Sequence, residues 1–248
     1  MRKIVLVTGA SRGIGAATAR HLAKQGYDVC INYRANVDAA EKLVAEVLAH
    51  GSKAIAVQAD VSKESDVLKL FAVVDEELGS ITSLVNNAGM LLPQTHVEEM
   101  TAARINLILA TNVTSYFLCC REAIKRMAHK HGGPGGAIVN VSSAASRLGS
   151  AGEYVDYAAS KGAIDTLTTG LALEVAGEGI RVNCVRPGFI HTSMHADGGE
   201  PNRIDRLKAD IPLERGGDPH EVAAAIAWLL SEEASYSTGA FIDVAGGR

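Results

Sequence analysis

The chain is 248 residues long, 47% hydrophobic and 21% charged, with a net charge of −4. Such a length buries a substantial core without disulfide staples, and the composition excludes a disordered or fibrous protein. Excess acid, with no basic run beyond the scattered "RMAHKH", leaves no electrostatic footprint for nucleic acid.

The opening "MRKIVLVTGASRG" sets basic residues before an apolar run, but the run is too short for a signal h-region and ends in Thr-Gly. No later stretch approaches the ~18 apolar residues of a membrane span, so a cytoplasmic protein without membrane association is expected. "KIVLVTG" reads as a first strand followed by a helix, with Gly9, Gly13 and Gly15 at the junction. Glycines at a strand-to-helix turn let the backbone bend tightly and approach a pyrophosphate, whose charge sits at the unpaired N–H groups of the helix N-terminus. The same letters hold a rival. Gly9-Ala10-Ser11-Arg12-Gly13 matches the G-x-S-x-G elbow of α/β-type hydrolases, with Ser11 as nucleophile. Against it, no oxyanion-hole loop can precede a first strand, and Gly15 is left without a purpose.

The second strand, "DVCINY", runs into Arg34 with no carboxylate before Asp38. A dinucleotide with a free 2′-OH meets an acid here, whereas a 2′-phosphate meets arginine. Arg34, with Arg12 from the glycine turn, therefore predicts NADP as cofactor in preference to NAD, with NAD still possible. Next, Val37, Ala40, Leu43, Val44, Val47 and Leu48 mark one helical face, ended by Gly51. After a third strand, "KAIAVQAD", a second helical face runs through Val67, Leu70, Phe71, Val74 and Leu78, with Ser62 as N-cap and Gly79 just past the end.

"SLVNNAG", "AIVNVSS", "IRVNCVRP" and "AFIDVAG" complete seven strands. Nearly continuous apolar runs alternating with helices predict an α/β fold, a single Rossmann-type doubly wound domain over residues 1–248. Its seven-stranded, mostly parallel sheet carries helices on both faces and binds ligands beyond the strands' carboxyl ends. "HGGPGG" leads into a strand, so its glycines read as a loose connection rather than a phosphate cradle. The loop-like run beginning "PGFIHTSMHADGGEPNR" marks 187–210 as a substrate-covering region. Cys30, Cys119, Cys120 and Cys184 lack ligand spacing, which removes zinc sites and a disulfide framework; no metal is expected.

In "YVDYAASKGAIDTL" a helix places Tyr157 and Lys161 on one face, four residues apart. A carbonyl reduced by hydride needs a proton, and a phenol near its ordinary pKa of ~10 supplies it poorly at neutral pH. An ammonium at ~4.5 Å, with an effective dielectric of ~20, attracts a phenolate by about 3.7 kcal/mol, nearly three pKa units. Lys161 can thus prepare Tyr157 for proton exchange. Tyr154 has no lysine at that spacing and suits a substrate wall.

Together these residues resemble the short-chain dehydrogenase/reductase family over essentially the whole chain. The matching signatures are Thr8-Gly9-x-x-x-Gly13-x-Gly15, Asp60-Val61, Asn86-Asn87-Ala88-Gly89, Asn112, Ser142-Ser143, Tyr157-x-x-x-Lys161 and Pro187-Gly188-x-x-x-Thr192. The resemblance implies a carbonyl/secondary-alcohol oxidoreductase with Tyr157 as acid/base and Lys161 on the nicotinamide ribose. It further implies a serine on the substrate oxygen and Asn112 holding a water that relays protons from Lys161. Cofactor contacts would come from Gly9, Ser11, Arg12, Gly13, Ile14, Gly15, Arg34, Asp60 at the adenine, Val61, Asn87, Ala88 and Gly89, and from Tyr157, Lys161, Pro187, Gly188, Ile190 and Thr192 at the carboxamide end.

One departure concerns the serine, which in many members stands thirteen residues before the tyrosine, where this chain has Ala144. Ser143 is the first candidate, with Ser142 as fallback and Ser146 behind it. Met90, Leu91, Leu92, Leu148, Tyr154, Phe189 and Met194 are pocket candidates, and His191 and His195 could meet a polar substrate. The resemblance also implies a homotetramer, packed through the helix at 219–230 and the strand "GAFIDVAGG". Besides the oxidoreductase and the Ser11 hydrolase, a non-catalytic nucleotide-sensing protein stays open at this point.

Overall fold

The computed structural model describes residues 3–248; Met1 and Arg2, part of the domain expected over 1–248, lie outside the described residues. In chain order, β1 (Ile4–Val7), α1 (Gly13–Lys24), β2 (Asp28–Tyr33), α2 (Val37–Leu48), β3 (Ala54–Gln58), α3 (Glu64–Glu77) and β4 (Ser83–Asn86) form the first half. Then α4 (Ala102–Leu109) passes through a π-helical turn (Ala110–Thr114) into α5 (Ser115–Met127), followed by β5 (Gly136–Val141) and the short α6 (Ala145–Leu148). The rest comprises α7 (Val155–Val175), β6 (Ile180–Pro187), two short helices, α8 (Met194–Asp197) and α9 (Arg203–Leu207), α10 (Pro219–Leu230) and β7 (Phe241–Val244).

The seven strands form one sheet in the order β3-β2-β1-β4-β5-β6-β7, and every neighbouring pair is parallel. The order reverses between β1 and β4, which opens a crevice at the carboxyl edge. Strands β1, β2 and β4 are buried along their whole length, as their unbroken apolar runs require when helices cover both faces. One core packs α1, α2 and α10 on the sheet through Leu22, Leu43 and Ile226, and the other packs α3, α5 and α7 through Phe71, Met127 and Val175. All four cysteines are free and buried in or beside these cores.

Several local expectations are corrected. On α2, Ala40, Leu43 and Val47 are buried, but Val37 and Leu48 are 43% and 51% exposed. At 100° per residue these two lie about 60–80° round from Ala40, on the side away from Leu43 and Val47. Ser62 does not cap α3. Lys63 holds the cap position, while the Ser62 hydroxyl donates to Asp60 Oδ1 at 2.6 Å. The 187–210 region is not a plain loop: α8 and α9 lie within it, Arg203 and Arg206 pair with Glu200 inside it, and both tie it to Glu153 outside.

"HGGPGG" is likewise no loose connection. A Cβ on Gly133 would sit 2.4 Å from the carbonyl oxygens of Arg126 and Met127, and one on Gly135 would sit 2.5 Å from that of Gly179. The glycines let the chain press against the end of α5 before it enters β5. Gly133→Ala is therefore expected to destabilise the protein by on the order of 2–4 kcal/mol. Gly132→Ala, at φ +80° with nothing within 4 Å, should cost only about 1 kcal/mol. Denaturant midpoints of the two variants check the contrast.

Candidate active site

The crevice floor is built by the glycine turn. Gly9 and Gly13 take φ of +61° and +56°, conformations that side-chain-bearing residues rarely adopt, and a Cβ on Gly9 would lie 2.9 Å from Ala88 Cα. Gly15 has no room either: its Cβ would fall 2.6 Å from Asn87 Nδ2. Polar side chains hold the turn. Asn32 Oδ1 accepts from Gly9 N at 3.2 Å, Asn87 donates to the Thr8 carbonyl at 2.8 Å, and the Thr8 hydroxyl accepts from the amides of Asn87 and Ala88. Helix α1 starts at Arg12 with no side-chain cap and no acid in its first turn, so its N–H groups remain available to an anion. These residues fit a dinucleotide's diphosphate.

At the outer end of the crevice Arg34 is exposed just beyond β2. Asp60 is partly buried, which opposes its charge, yet bonds from Ser62 and the charges of Lys63 and Arg34 hold its carboxyl below the usual value. Val61 is buried. Arg12 is not free, since its guanidinium donates to Ser193 Oγ at 2.9 Å and pairs with Asp197, linking the glycine turn to the 187–210 region. Asn86 turns inward, donating to Asn140 Oδ1 at 2.9 Å.

Towards the sheet's centre lies a cavity of about 130 Å³. The structure brings Ile14, Asn87, Gly89, Ser143, Tyr157, Lys161, Pro187, Gly188, Ile190 and Thr192 together around it. Leu91, Leu148, Tyr154, Phe189, Met194 and His195 line it as well, whereas Met90, Leu92, His191 and the rival nucleophile Ser11 do not. Gly188 is required where β6 ends, because a Cβ there would meet Ala245 Cα at 2.8 Å. Ser142 also lines the cavity, but its hydroxyl is committed, donating to the Lys161 carbonyl at 3.0 Å inside α7. The Ser143 hydroxyl bonds the phenol of Tyr157 and accepts from the Ala145 amide at 3.1 Å.

Lys161 is 3% exposed, and its Nζ donates to the Val141 carbonyl at 2.8 Å and to the Tyr116 hydroxyl at 3.3 Å. Burial outweighs the attraction of Cys184 and Asp165 and lowers its pKa to about 8. Its Nζ lies 5.7 Å from the Tyr157 ring centre. Burial also raises the Tyr157 pKa, and the opposing pull of the Ser143 hydroxyl and the Arg203 charge does not reverse it. The expected depression of the phenol by Lys161 is thus not delivered by protein groups alone. Loss of water around the phenol is the dominant influence, and the spacing of two residues on a helix does not reveal it.

Asn112 sits in the π-helical turn and is fully buried. Its Oδ1 accepts from the Met90 amide at 2.8 Å, and its Nδ2 donates to the Met90 carbonyl and to Ser160 Oγ, each at 3.1 Å. The side chain therefore clamps the backbone after Gly89, and a Cβ on Gly89 would lie 3.5 Å from Asn112 Oδ1 and 3.6 Å from Lys161 Nζ. Sequence reasoning missed Tyr116, whose hydroxyl donates to the Val141 carbonyl at 2.9 Å while it accepts from Lys161. The available signal was its place one helical turn after Asn112. Arg203 and Arg248, which also line the cavity, carry no motif that marks them.

Comparison with known proteins identifies relatives along the whole chain. The family model described as "Enoyl-(Acyl carrier protein) reductase" matches residues 9–248. The chain is 64% identical over 245 residues to the "Uncharacterized oxidoreductase YgfF" of Escherichia coli, covering 99% of both chains. It is 37% identical to the "3-oxoacyl-[acyl-carrier-protein] reductase FabG" of Staphylococcus epidermidis, over 100% of this chain and 99% of that one, and 37% identical to the "Glucose 1-dehydrogenase 2" of Bacillus subtilis, over 99% and 94%. A variant of the Serratia marcescens short-chain dehydrogenase/reductase superposes with a TM-score of 0.90 at 35% identity, over 99% of this chain and 97% of that one. The hydrolase reading of Ser11 falls with these relatives, all of them named for redox chemistry. With a parallel seven-stranded sheet and matches that run nearly end to end, the chain belongs to the short-chain dehydrogenase/reductase family, oxidoreductases that act on CH–OH groups with NAD or NADP.

Proposed function

We propose that this protein is an NADP-dependent reductase of a small carbonyl compound, reversible towards the secondary alcohol, with Tyr157 as acid/base. The observation that carries the reading is the convergence of Tyr157, Ser143 and Lys161 on one cavity beside Gly89 and Thr192, at the edge where the glycine turn lies. When bound, the dinucleotide supplies or accepts the hydride at the carbonyl carbon. Tyr157 gives its proton to the carbonyl oxygen in reduction and takes it back in oxidation. The Ser143 hydroxyl holds that oxygen against the phenol. Lys161 has spent two of its three N–H donors on Val141 and Tyr116, and the third serves a cofactor ribose hydroxyl. Asn112 keeps the backbone after Gly89 in register with that ammonium. Measuring NADPH and NADH oxidation against a carbonyl panel tests the reading, and absence of turnover with every member would refute it.

Support for NADP comes from Arg34, exposed beyond β2 with no acidic side chain bonded to it among the described residues. Arg12 already spans Ser193 and Asp197 and is the less available partner. Arg34→Ala is expected to raise the Kd of NADPH by roughly tenfold, the loss of one charge-assisted bond, with little change for NADH. Fluorescence titration with each cofactor checks it; equal effects on both would remove Arg34 from the phosphate site.

A homotetramer is consistent with exposed apolar groups on the expected faces, Trp228 on α10 and Tyr236 before β7. No helix of the described residues is long and apolar enough to cross a membrane. Four free, buried cysteines accord with a cytoplasmic setting.

A further inference from the structure

Among the described residues, three buried side-chain atoms lack a hydrogen-bond partner: Arg104 Nη2, His195 Nδ1 and Arg248 Nη1. The last two belong to residues that line the cavity holding Tyr157. Buried polar groups rarely go unpaired, and a buried unpaired charge is more costly still, so each calls for a partner.

Arg203 and Arg248 flank the Phe189 ring, each guanidinium 5.5 Å from its centre. Their charges are not equivalent. Arg203 is neutralised by Glu153 and Glu200. Arg248 has no acidic side-chain partner among the described residues; Asp243 pairs with Arg147 at 3.3 Å and Arg186 at 3.9 Å. On one side of Phe189 the guanidinium is thus paired with carboxylates, and on the other the Arg248 Nη1 donor is unpaired and suited to a carboxylate oxygen.

His195 presents the opposite need. Its Nε2 lies 3.0 Å from the Ile190 carbonyl, an acceptor only, so that nitrogen carries the proton. Burial lowers the imidazole pKa, with the Arg203 charge adding to the effect, so the ring is neutral and Nδ1 is a bare acceptor. A substrate hydroxyl satisfies it. Leu91, Leu148 and Met194 offer no competing polar group.

We infer that the substrate is a small oxo acid bearing a free hydroxyl, its carboxylate bound by Arg248 and its hydroxyl donated to His195 Nδ1. The inference rests on the carbonyl-reductase reading and narrows its substrate class. The test measures kcat/KM with NADPH for pyruvate, acetoacetate, 4-oxopentanoate and 5-oxohexanoate, their methyl esters, 5-hydroxy-4-oxopentanoate, and dihydroxyacetone with its phosphate. The best acid is expected to exceed its ester by roughly tenfold to a hundredfold, the worth of a charge-assisted bond. Arg248→Met should bring that ratio to about one through KM, and Arg248→Lys should restore part of it. His195→Phe should remove the preference for the hydroxylated acid over the deoxy acid without moving the acid-to-ester ratio. NADPH binding by each variant shows that it has folded.

Esters turned over as well as acids, or a ratio unmoved in Arg248→Met, overturn the inference while leaving the reductase intact. A phosphate preferred to every carboxylate overturns it also. No turnover of any compound, neutral or charged, rejects the reductase itself.

Discussion

Tyr157→Phe is expected to lower kcat by roughly 10²- to 10⁴-fold, the usual contribution of a positioned acid/base, while NADPH binding persists. The substitution removes one hydroxyl from a partly buried ring and leaves the glycine turn, Arg34 and Lys161 in place. Burial raises the Tyr157 pKa, so the phenol holds its proton at neutral pH, the form that reduction consumes. Oxidation needs the phenolate instead. Hence the wild-type reduction rate should change little with pH around neutrality, while the alcohol-oxidation rate climbs as pH rises, and that climb is lost in the variant. Stopped-flow NADPH consumption and steady-state oxidation, each across pH, check this. Full activity in Tyr157→Phe would give the proton to another group. Cofactor binding with no turnover in the wild type on any carbonyl would favour a nucleotide sensor.

What made the fold legible was local. Each strand is an apolar run that needs no partner to be recognised, and strict alternation with amphipathic helices leaves a parallel doubly wound sheet as the natural arrangement. Tyr157 and Lys161 were legible for a similar reason, since helical spacing alone brings them to one face. Ser62 was misread because its own neighbour Asp60 competes for the hydroxyl that a cap would use. Tyr116, Arg203 and Arg248 were illegible because their roles depend on distant segments meeting: α5 against the end of β5, and α9 and the residue after Gly247 against Phe189. The tyrosine's electrostatics also escaped, because spacing sets a charge–charge distance but says nothing about how much water the fold removes.

Lys161→Met should separate the function of that ammonium from its stability. The fold holds the lysine's pKa at about 8 against an ordinary 10.5, so keeping the charge buried costs about 3 kcal/mol at neutral pH. Methionine fills a similar volume without charge. It forfeits bonds to Val141 and Tyr116, but the Val141 carbonyl keeps its bond from the Tyr116 hydroxyl at 2.9 Å. The net expectation is a variant more stable than wild type by about 1–2 kcal/mol at pH 7, with activity largely lost. The pH dependence fixes the cause. Below about 8 both the native and the unfolded wild type hold the lysine proton, and the penalty is fully present. Between about 8 and 10.5 the unfolded chain keeps a proton that the native state has released, so this contribution makes the wild type more stable as pH rises, and the variant's advantage shrinks. Tyr157 titrates in both proteins and largely cancels in the difference. Chemical denaturation of the pair at pH 7 and pH 10 reads it directly. A variant less stable at pH 7, or an advantage undiminished at pH 10, would show that the ammonium is held by partners strong enough to repay its desolvation.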